Sequence, residues 1–399
     1  MIKKILKNSS IFILSEILSK SLPFLLLPYL TRNLGVEGYG NLAILNAIVA
    51  LQFVFISLSQ DSAISRYYYY YGHRTINYNT AYSLIYSLLI SIFFGLIITF
   101  YFGFEYTITT LIAFLQSCFA IQLSLRQCRK HATSYAGLQL VFSLVSTSVT
   151  FFVIELIWTN AYGRLWSIFL GYIFVLFISQ YYFHSIKIKN RIRIRHFILY
   201  GKYVFSFGLP LVLHKLSIFG KGQFDRLFIY ESYSNYDLGV YASSFQLSSV
   251  LSVILVALNM AVSPFAYEGF KKNTYKKSDV IKLSSISLII PIFLFGLMLM
   301  VPGKYYEFFL GYRDDNVGGY VSLFVLGISL NIPYYITSHY FMYMNKNKQF
   351  TLITLASGLV YIGSVLFFGK FGITYLPYSL VVSNIFMVML SQFYVQRIK

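Results

Sequence analysis

Long apolar stretches alternate with short polar ones along the whole chain. Twelve stretches recur, near 9–30, 38–60, 80–102, 107–126, 134–155, 162–183, 203–224, 239–262, 280–301, 318–343, 350–369 and 373–395. A helix needs about 20 mainly apolar residues to cross the hydrocarbon core of a bilayer. These runs are too long for membrane strands and lack their strict alternation. The pattern predicts an all-α polytopic membrane protein of about twelve transmembrane helices. Polar residues interrupt the seventh. The connecting segments are short and leave no soluble domain on either side.

Basic residues orient the spans. With the N-terminus in the cytoplasm, 23 of the 32 Lys and Arg fall on inside segments and 7 on outside ones. Lys20 and Lys215 remain embedded, and both termini are cytoplasmic. The formal charge of +19 is thus mostly topology, with attraction to anionic membrane lipids beside it. The run KIKNRIRIRH (187–196) lies between spans six and seven. It predicts two six-helix lobes, 1–186 and 203–399, joined by a basic cytoplasmic linker, 187–202. Nucleic acid is the rival partner for such a run, but a short segment beside lipid disfavours it.

Composition agrees with a membrane class. Hydrophobic residues make up 57% and charged residues 11%, against about 25% charged in soluble domains. Tyrosines gather near span ends, as at 67–71, where an amphipathic ring suits the headgroup level. Lys3, Lys4 and Lys7 precede an apolar stretch with no small-residue cleavage site, which predicts an uncleaved first span rather than a signal peptide. Cys118 and Cys128 suggest neither a disulfide framework nor a metal site.

GVEGYGNLA (35–43) and SNYDLGVYA (234–242) share an acid before a glycine and an alanine three residues after it. The offset of 199 residues is half the chain, and halves of similar build are common in transporters.

Charges inside the spans are costly and usually face the bundle interior or a watery cavity. Glu16 and Lys20 stand at i and i+4 in span one, on one helix face with Pro23 and Leu27. They read either as a neutralised pair tolerating burial or as cavity-lining groups. Span seven, taken as one helix, places His214, Lys221 and Asp225 on one stripe and Lys215, Gly222 and Arg226 on the next. The other reading ends that helix near Gly220 and leaves Lys221 to Arg226 as loop charges. Arg32 and Arg66 are further cavity candidates, or headgroup anchors. Lys20, Arg32, Arg66, His214, Lys215 and Arg226 would make a cationic lumen suited to an anionic solute. Glu16 and Asp225 are the ion-coupling candidates. Glu155, Asn331, Pro333 and His339 are lesser ones.

Motifs for built-in ATP hydrolysis, for a zinc site and for a serine nucleophile elbow are absent. The adjacent acids Asp314 and Asp315 are a weak metal candidate. The expectation is therefore no enzyme, no cofactor, no metal, and transport driven by an ion gradient.

PYLTRNLGVEGYGNLAILNAI (28–48), DSAISRYYYY (61–70), FGLPLVLHKLS (207–217), FDRLFI (224–229), DLGVYASSFQL (237–247) and SPFAYE (263–268) resemble, in order and spacing, the polysaccharide transporter family. That family belongs to the multidrug/oligosaccharidyl-lipid/polysaccharide (MOP) exporter superfamily, and the subgroup resembled is the O-antigen repeat-unit flippases (Wzx-type). The resemblance implies a two-lobed architecture like that of the MATE exporters. It implies alternating access that moves an undecaprenyl-diphosphate-linked oligosaccharide, an O-antigen or capsule repeat unit, across the bacterial inner membrane, coupled to H+ or Na+. An O-antigen polymerase and a chain-length regulator are the partners it implies. Arg32, Arg66, Asp225 and Arg226 fall inside the family-like stretches. Two other readings stay open: a polysaccharide polymerase or glycosyltransferase of the same pathway, and a cation-coupled drug exporter. Short outer loops argue against the first, and embedded bases matching or outnumbering acids argue against the second.

Overall fold

The computed structural model describes residues 14, 15, 17–19, 21–72, 75–183, 194–272, 274–344 and 346–397. Fifteen α-helices follow one another among them: α1 Leu27–Ser57, α2 Gln60–Tyr70, α3 Ile76–Phe102, α4 Thr107–Cys128, α5 Ala132–Leu156, α6 Ala161–Phe183, α7 Ile194–Ser232, α8 Asn235–Lys271, α9 Lys277–Ile286, α10 Ile289–Leu299, α11 Gly303–Leu310, α12 Asn316–Ser329, α13 Asn331–Tyr343, α14 Asn347–Phe368 and α15 Tyr378–Arg397. The described residues hold no strand. Eleven helical runs among them are long and apolar enough to cross a membrane. The first, Leu27–Tyr70, is 44 residues long and joins the end of predicted span one to the whole of span two. About twelve spans and an all-α fold are therefore the observed architecture.

Local breaks explain where helices and predicted spans differ. Gly35 sits inside α1 at φ 69°, ψ 174°, a non-helical conformation that favours glycine, and there span one turns into span two. Leu58 and Ser59 have φ of 43° and 52° and separate α1 from α2. Predicted span two thus continues past a break to Tyr70. Pro291 and Pro333 each stand at the third residue of a helix, α10 and α13. Neither can donate to the carbonyl four residues back, so spans nine and ten are each made of two helices. Helix α7 runs unbroken through Gly220, Gly222 and Pro210, so Lys221, Asp225 and Arg226 are helical rather than loop residues.

Some helices expose large apolar residues and bury small polar ones. In α10 the described buried residue is Pro291, while Ile292 and Phe293 are 68% and 65% exposed. In α3 the buried face carries Ser83, Ser87 and Ser91. Large apolar groups meet lipid, and small hydroxyl residues let helices approach and bond across the interface, each such bond contributing about 0.6 kcal/mol. The chain Gln60–Ser87–Ser117, with links of 2.9 and 3.0 Å, is one example.

Contacts group the chain into two compact units. One holds the residues up to Pro23 and Leu45–Leu216, and the other holds Phe24–Ile44 and Ser217–Lys399. The boundaries fall inside α1 and α7, not in a loop. In unit one α5 packs on α6, and α4 packs on α2, α3 and α6. In unit two α12 packs on α8 and α10, and α14 on α15.

The short sequence repeat meets itself inside unit two. A β-carbon on Gly40 would collide with the carbonyl oxygen of Asn235, and one on Gly239 with the carbonyl oxygen of Val36. Adding 199 converts Val36 and Gly40 into the positions of Asn235 and Gly239. The contact is therefore reciprocal, as a local two-fold relation requires, and glycine at both positions lets the backbones touch. Beside it, Ser234 caps α8: its hydroxyl accepts from the Asp237 N–H at 3.1 Å and the Asp237 carboxylate accepts from the Ser234 N–H at 3.3 Å.

Candidate functional site

The break at Leu58 and Ser59 starts α2 in unit one and sets its acid. Asp61 Oδ1 accepts from Lys215 Nζ at 3.0 Å, and both side chains are mostly buried, at 31% and 24% exposure. Lys215 also lies 5.5 Å from the centroid of the Phe53 ring. An ammonium in hydrocarbon is tolerated when a carboxylate neutralises it. Sequence spacing set Lys215 beside His214, but the structure pairs it with a residue 154 positions away. His214 is half-buried, and its Nδ1 has no hydrogen-bond partner among the described residues.

Arg66 lies one turn further along α2. Its guanidinium sits 5.2, 5.9 and 5.0 Å from the ring centroids of Tyr70, Tyr203 and Phe207. The rings hold the cation by their π faces and leave it exposed, with donors available to an anion.

Unit two arranges its charges differently. Asp225 and Arg226 are neighbours on α7, and both are buried, at 2% and 6% exposure. The Asp225 carboxylate accepts from the Tyr241 hydroxyl at 2.7 Å and from the Arg226 backbone N–H at 2.9 Å. Tyr241 is itself 0% exposed. The Arg226 guanidinium turns away, donating to the Gly222 carbonyl at 2.6 Å and to Gln223 Oε1 at 2.5 Å, over the Phe245 ring at 4.8 Å. Lys221 donates to Ser357 Oγ at 3.3 Å and approaches Met387 Sδ at 3.6 Å. Among the described residues neither cation forms an ion pair. His214, Lys221 and Asp225 lie on one unbroken helix, with His214 in unit one and the other two in unit two.

Arg32 has a local partner. Its Nη2 donates to the Phe308 carbonyl at 2.5 Å, and Thr31 Oγ1 donates to the Leu310 carbonyl at 2.6 Å. Both cap the C-terminus of α11, where carbonyls lack helical partners and a cation is favoured. Gly311, at φ 78°, completes that end, and a β-carbon there would strike the Arg32 stem. Glu16 and Lys20 lie outside the described residues.

Sequence reasoning assigned no role to Asp61 and counted two arginines as loop charges. Arg126, 3% exposed, bonds Gln122, Ser134 and Ser179. Arg164, 8% exposed, bonds Ser146 and Thr150. Both tie helices together through hydroxyl shells. Asp314 accepts from the Asn316 N–H and from the Tyr236 hydroxyl. No His, Cys, Asp and Glu cluster able to hold a metal occurs among the described residues.

Comparison with known proteins now has a geometry to attach to. Residues 5–269 match the family described as polysaccharide biosynthesis protein. The Lsg locus putative protein 1 of Haemophilus influenzae is 35% identical over 401 residues, covering 99% of each chain. The solved structure of the lipid II flippase MurJ, in an inward closed conformation, shares the fold. Its TM-score is 0.70 at 15% identity, over 98% of this chain and 87% of that one. An inward-facing multidrug resistance MATE family transporter of the MOP superfamily gives 0.68 at 14% identity, over 93% and 94%. At such identities the likeness concerns the fold. The chain belongs to the polysaccharide biosynthesis protein family and is a multi-pass membrane protein with the fold of the MOP superfamily transporters.

Proposed function

We propose that the protein is a flippase for an undecaprenyl-diphosphate-linked oligosaccharide, an O-antigen or capsule repeat unit. It carries the polar head from the cytoplasmic to the outer leaflet by alternating access. The observation that carries this reading is the set of cations held within the spans: Lys215 against Asp61, Arg66 on its aromatic rings, and Lys221 and Arg226 without a carboxylate partner. A diphosphate cannot enter hydrocarbon alone, and embedded Lys and Arg offset its charge where water does not. Lys215 exchanges the Asp61 carboxylate for substrate phosphate and returns to it after release. The embedded positions need such an exchange, because a mid-span base without an anionic partner is costly.

Asp225 is the coupling group, and the ion is a proton. Its carboxylate accepts from the Tyr241 hydroxyl and a backbone N–H, and among the described residues no cation pairs with it. The test is flipping of a fluorescent lipid-linked repeat unit by purified protein in liposomes, with and without an imposed proton gradient. Gradient-stimulated loss of the probe from one leaflet supports the reading. No transfer above protein-free liposomes overturns it.

A further inference from the structure

A cavity of about 640 Å³ lies within unit one, inside the range of about 300–1,000 Å³ typical of small-molecule sites. Tyr67, Tyr71, Tyr78, Tyr82, Tyr200 and Tyr203 line it. It is built where α2 ends and where α3 and α7 begin. Those helix ends flank the segment after Tyr71 and the basic linker, both assigned to the cytoplasmic side by the charge pattern.

The lining chemistry is specific. Among the described residues it holds no Lys, Arg, Asp or Glu, and His196 is its one other titratable type beside tyrosine. The rings brace one another: Tyr67 meets Tyr71, Tyr200 and Tyr203 at centroid distances of 5.1, 6.4 and 5.6 Å. Several hydroxyls are fixed as well. Tyr200 bonds Ser83 at 2.8 Å, Tyr203 donates to the Ala63 carbonyl at 3.1 Å, and Tyr67 accepts from Thr75 at 3.1 Å. Asn79 also lines the cavity. It is 5% exposed, and its amide NH2 has no hydrogen-bond partner among the described residues. A buried donor left open costs about 1–3 kcal/mol, so a turn of the Asn79 side chain toward a polar ligand atom in the cavity would relieve it.

We propose that this cavity binds uncharged pyranose residues, the sugar part of the lipid-linked substrate. A pyranose offers C–H faces to the negative faces of tyrosine rings and hydroxyls to the Asn79 amide and the phenol oxygens. Among the described residues the wall offers a diphosphate no cation. Arg66 stands beside that wall, 5.9 Å from the Tyr203 ring centroid. The protein thus reads sugar and phosphate with separate groups, and the tyrosine cavity favours the loaded lipid over the bare carrier. This inference rests on the flippase reading.

The experiment uses full-length protein in nanodiscs and three probes. They are the lipid-linked repeat unit extracted from a strain lacking this gene, undecaprenyl diphosphate, and the free oligosaccharide released from the first. Wild type is expected to bind the loaded lipid about tenfold more tightly than undecaprenyl diphosphate, with the free oligosaccharide competing. Asn79→Leu and, separately, Tyr67→Ala should bring that ratio close to one while leaving undecaprenyl diphosphate affinity unchanged; Tyr67→Ala, which removes a bracing ring, should also lower thermal stability. An unchanged ratio in a stable Asn79→Leu protein overturns the proposal. So does competition by phosphatidylglycerol vesicles in place of the oligosaccharide, which assigns the cavity to lipid headgroups. If wild type binds both lipids equally and still flips them, the cavity assignment falls and the flippase reading stands. If it binds neither lipid, both fall.

Discussion

Unit one and unit two both embed an acid and a base, yet they manage the charges in opposite ways. In unit one Asp61 and Lys215, far apart in sequence, neutralise each other at 3.0 Å. In unit two Asp225 and Arg226 are adjacent in sequence and face different partners, a phenol for the acid and carbonyl and amide oxygens for the base. Successive helical residues point about 100° apart, so neighbours in sequence cannot meet. The first arrangement is an ion pair across two helices, and the second keeps acid and base on separate partners. Under the function proposed above, unit one would supply substrate binding and unit two coupling.

The most drastic way to break the comparison is Lys215→Ala. It should abolish surface polysaccharide in a complementation assay while the protein still inserts, and normal polysaccharide would remove Lys215 from the mechanism. The reversed pair, Asp61→Lys with Lys215→Asp, sharpens this. It should restore stability but not transport, because the cation then stands on the wrong helix.

Next in size is the glycine crossing of unit two. Gly40→Leu and Gly239→Leu each drive a side chain into a backbone carbonyl, which cannot yield as a side-chain tip can. Each should lower the melting temperature strongly and to a similar degree, by the reciprocity of the contact. A neutral effect at one position would show that the two-fold relation is not energetically real. Asp225→Asn should leave folding intact and make transport indifferent to a proton gradient, measured as equal flipping rates with and without it. The smallest effect is expected from Tyr241→Phe. It removes one hydrogen bond to the Asp225 carboxylate, about 1.5–3 kcal/mol, visible as a modest loss of thermal stability.

Helix number and the positions of most helices were legible because lipid imposes a length and a hydropathy on each span. The repeat was legible too, since Gly40 and Gly239 carry a local signature that their contact explains. The breaks at Leu58 and Ser59 were not, because no glycine or proline marks them; tertiary packing imposes that conformation. The extension of α7 to Ser232 was obscured by its polar residues, which read equally well as a loop. Site residues were legible one by one as costly charges, and their partners were not. Nothing local in SQDSAIS (59–65) announces that Asp61 meets Lys215. Arg32 was legible as a cation near a span end, but its bond to the Phe308 carbonyl at the end of α11 was not. Arg126 and Arg164 sit near span ends in sequence, but their side chains lie inside the bundle.

The most direct test of the central claim is leaflet-resolved labelling of the lipid-linked repeat unit in cells lacking this gene, complemented with wild type or with Lys215→Ala. The account expects intact units to accumulate on the cytoplasmic side in the deletion and the variant, and to reach the outer side with wild type. Repeat units appearing on surface polysaccharide in the uncomplemented deletion would contradict it.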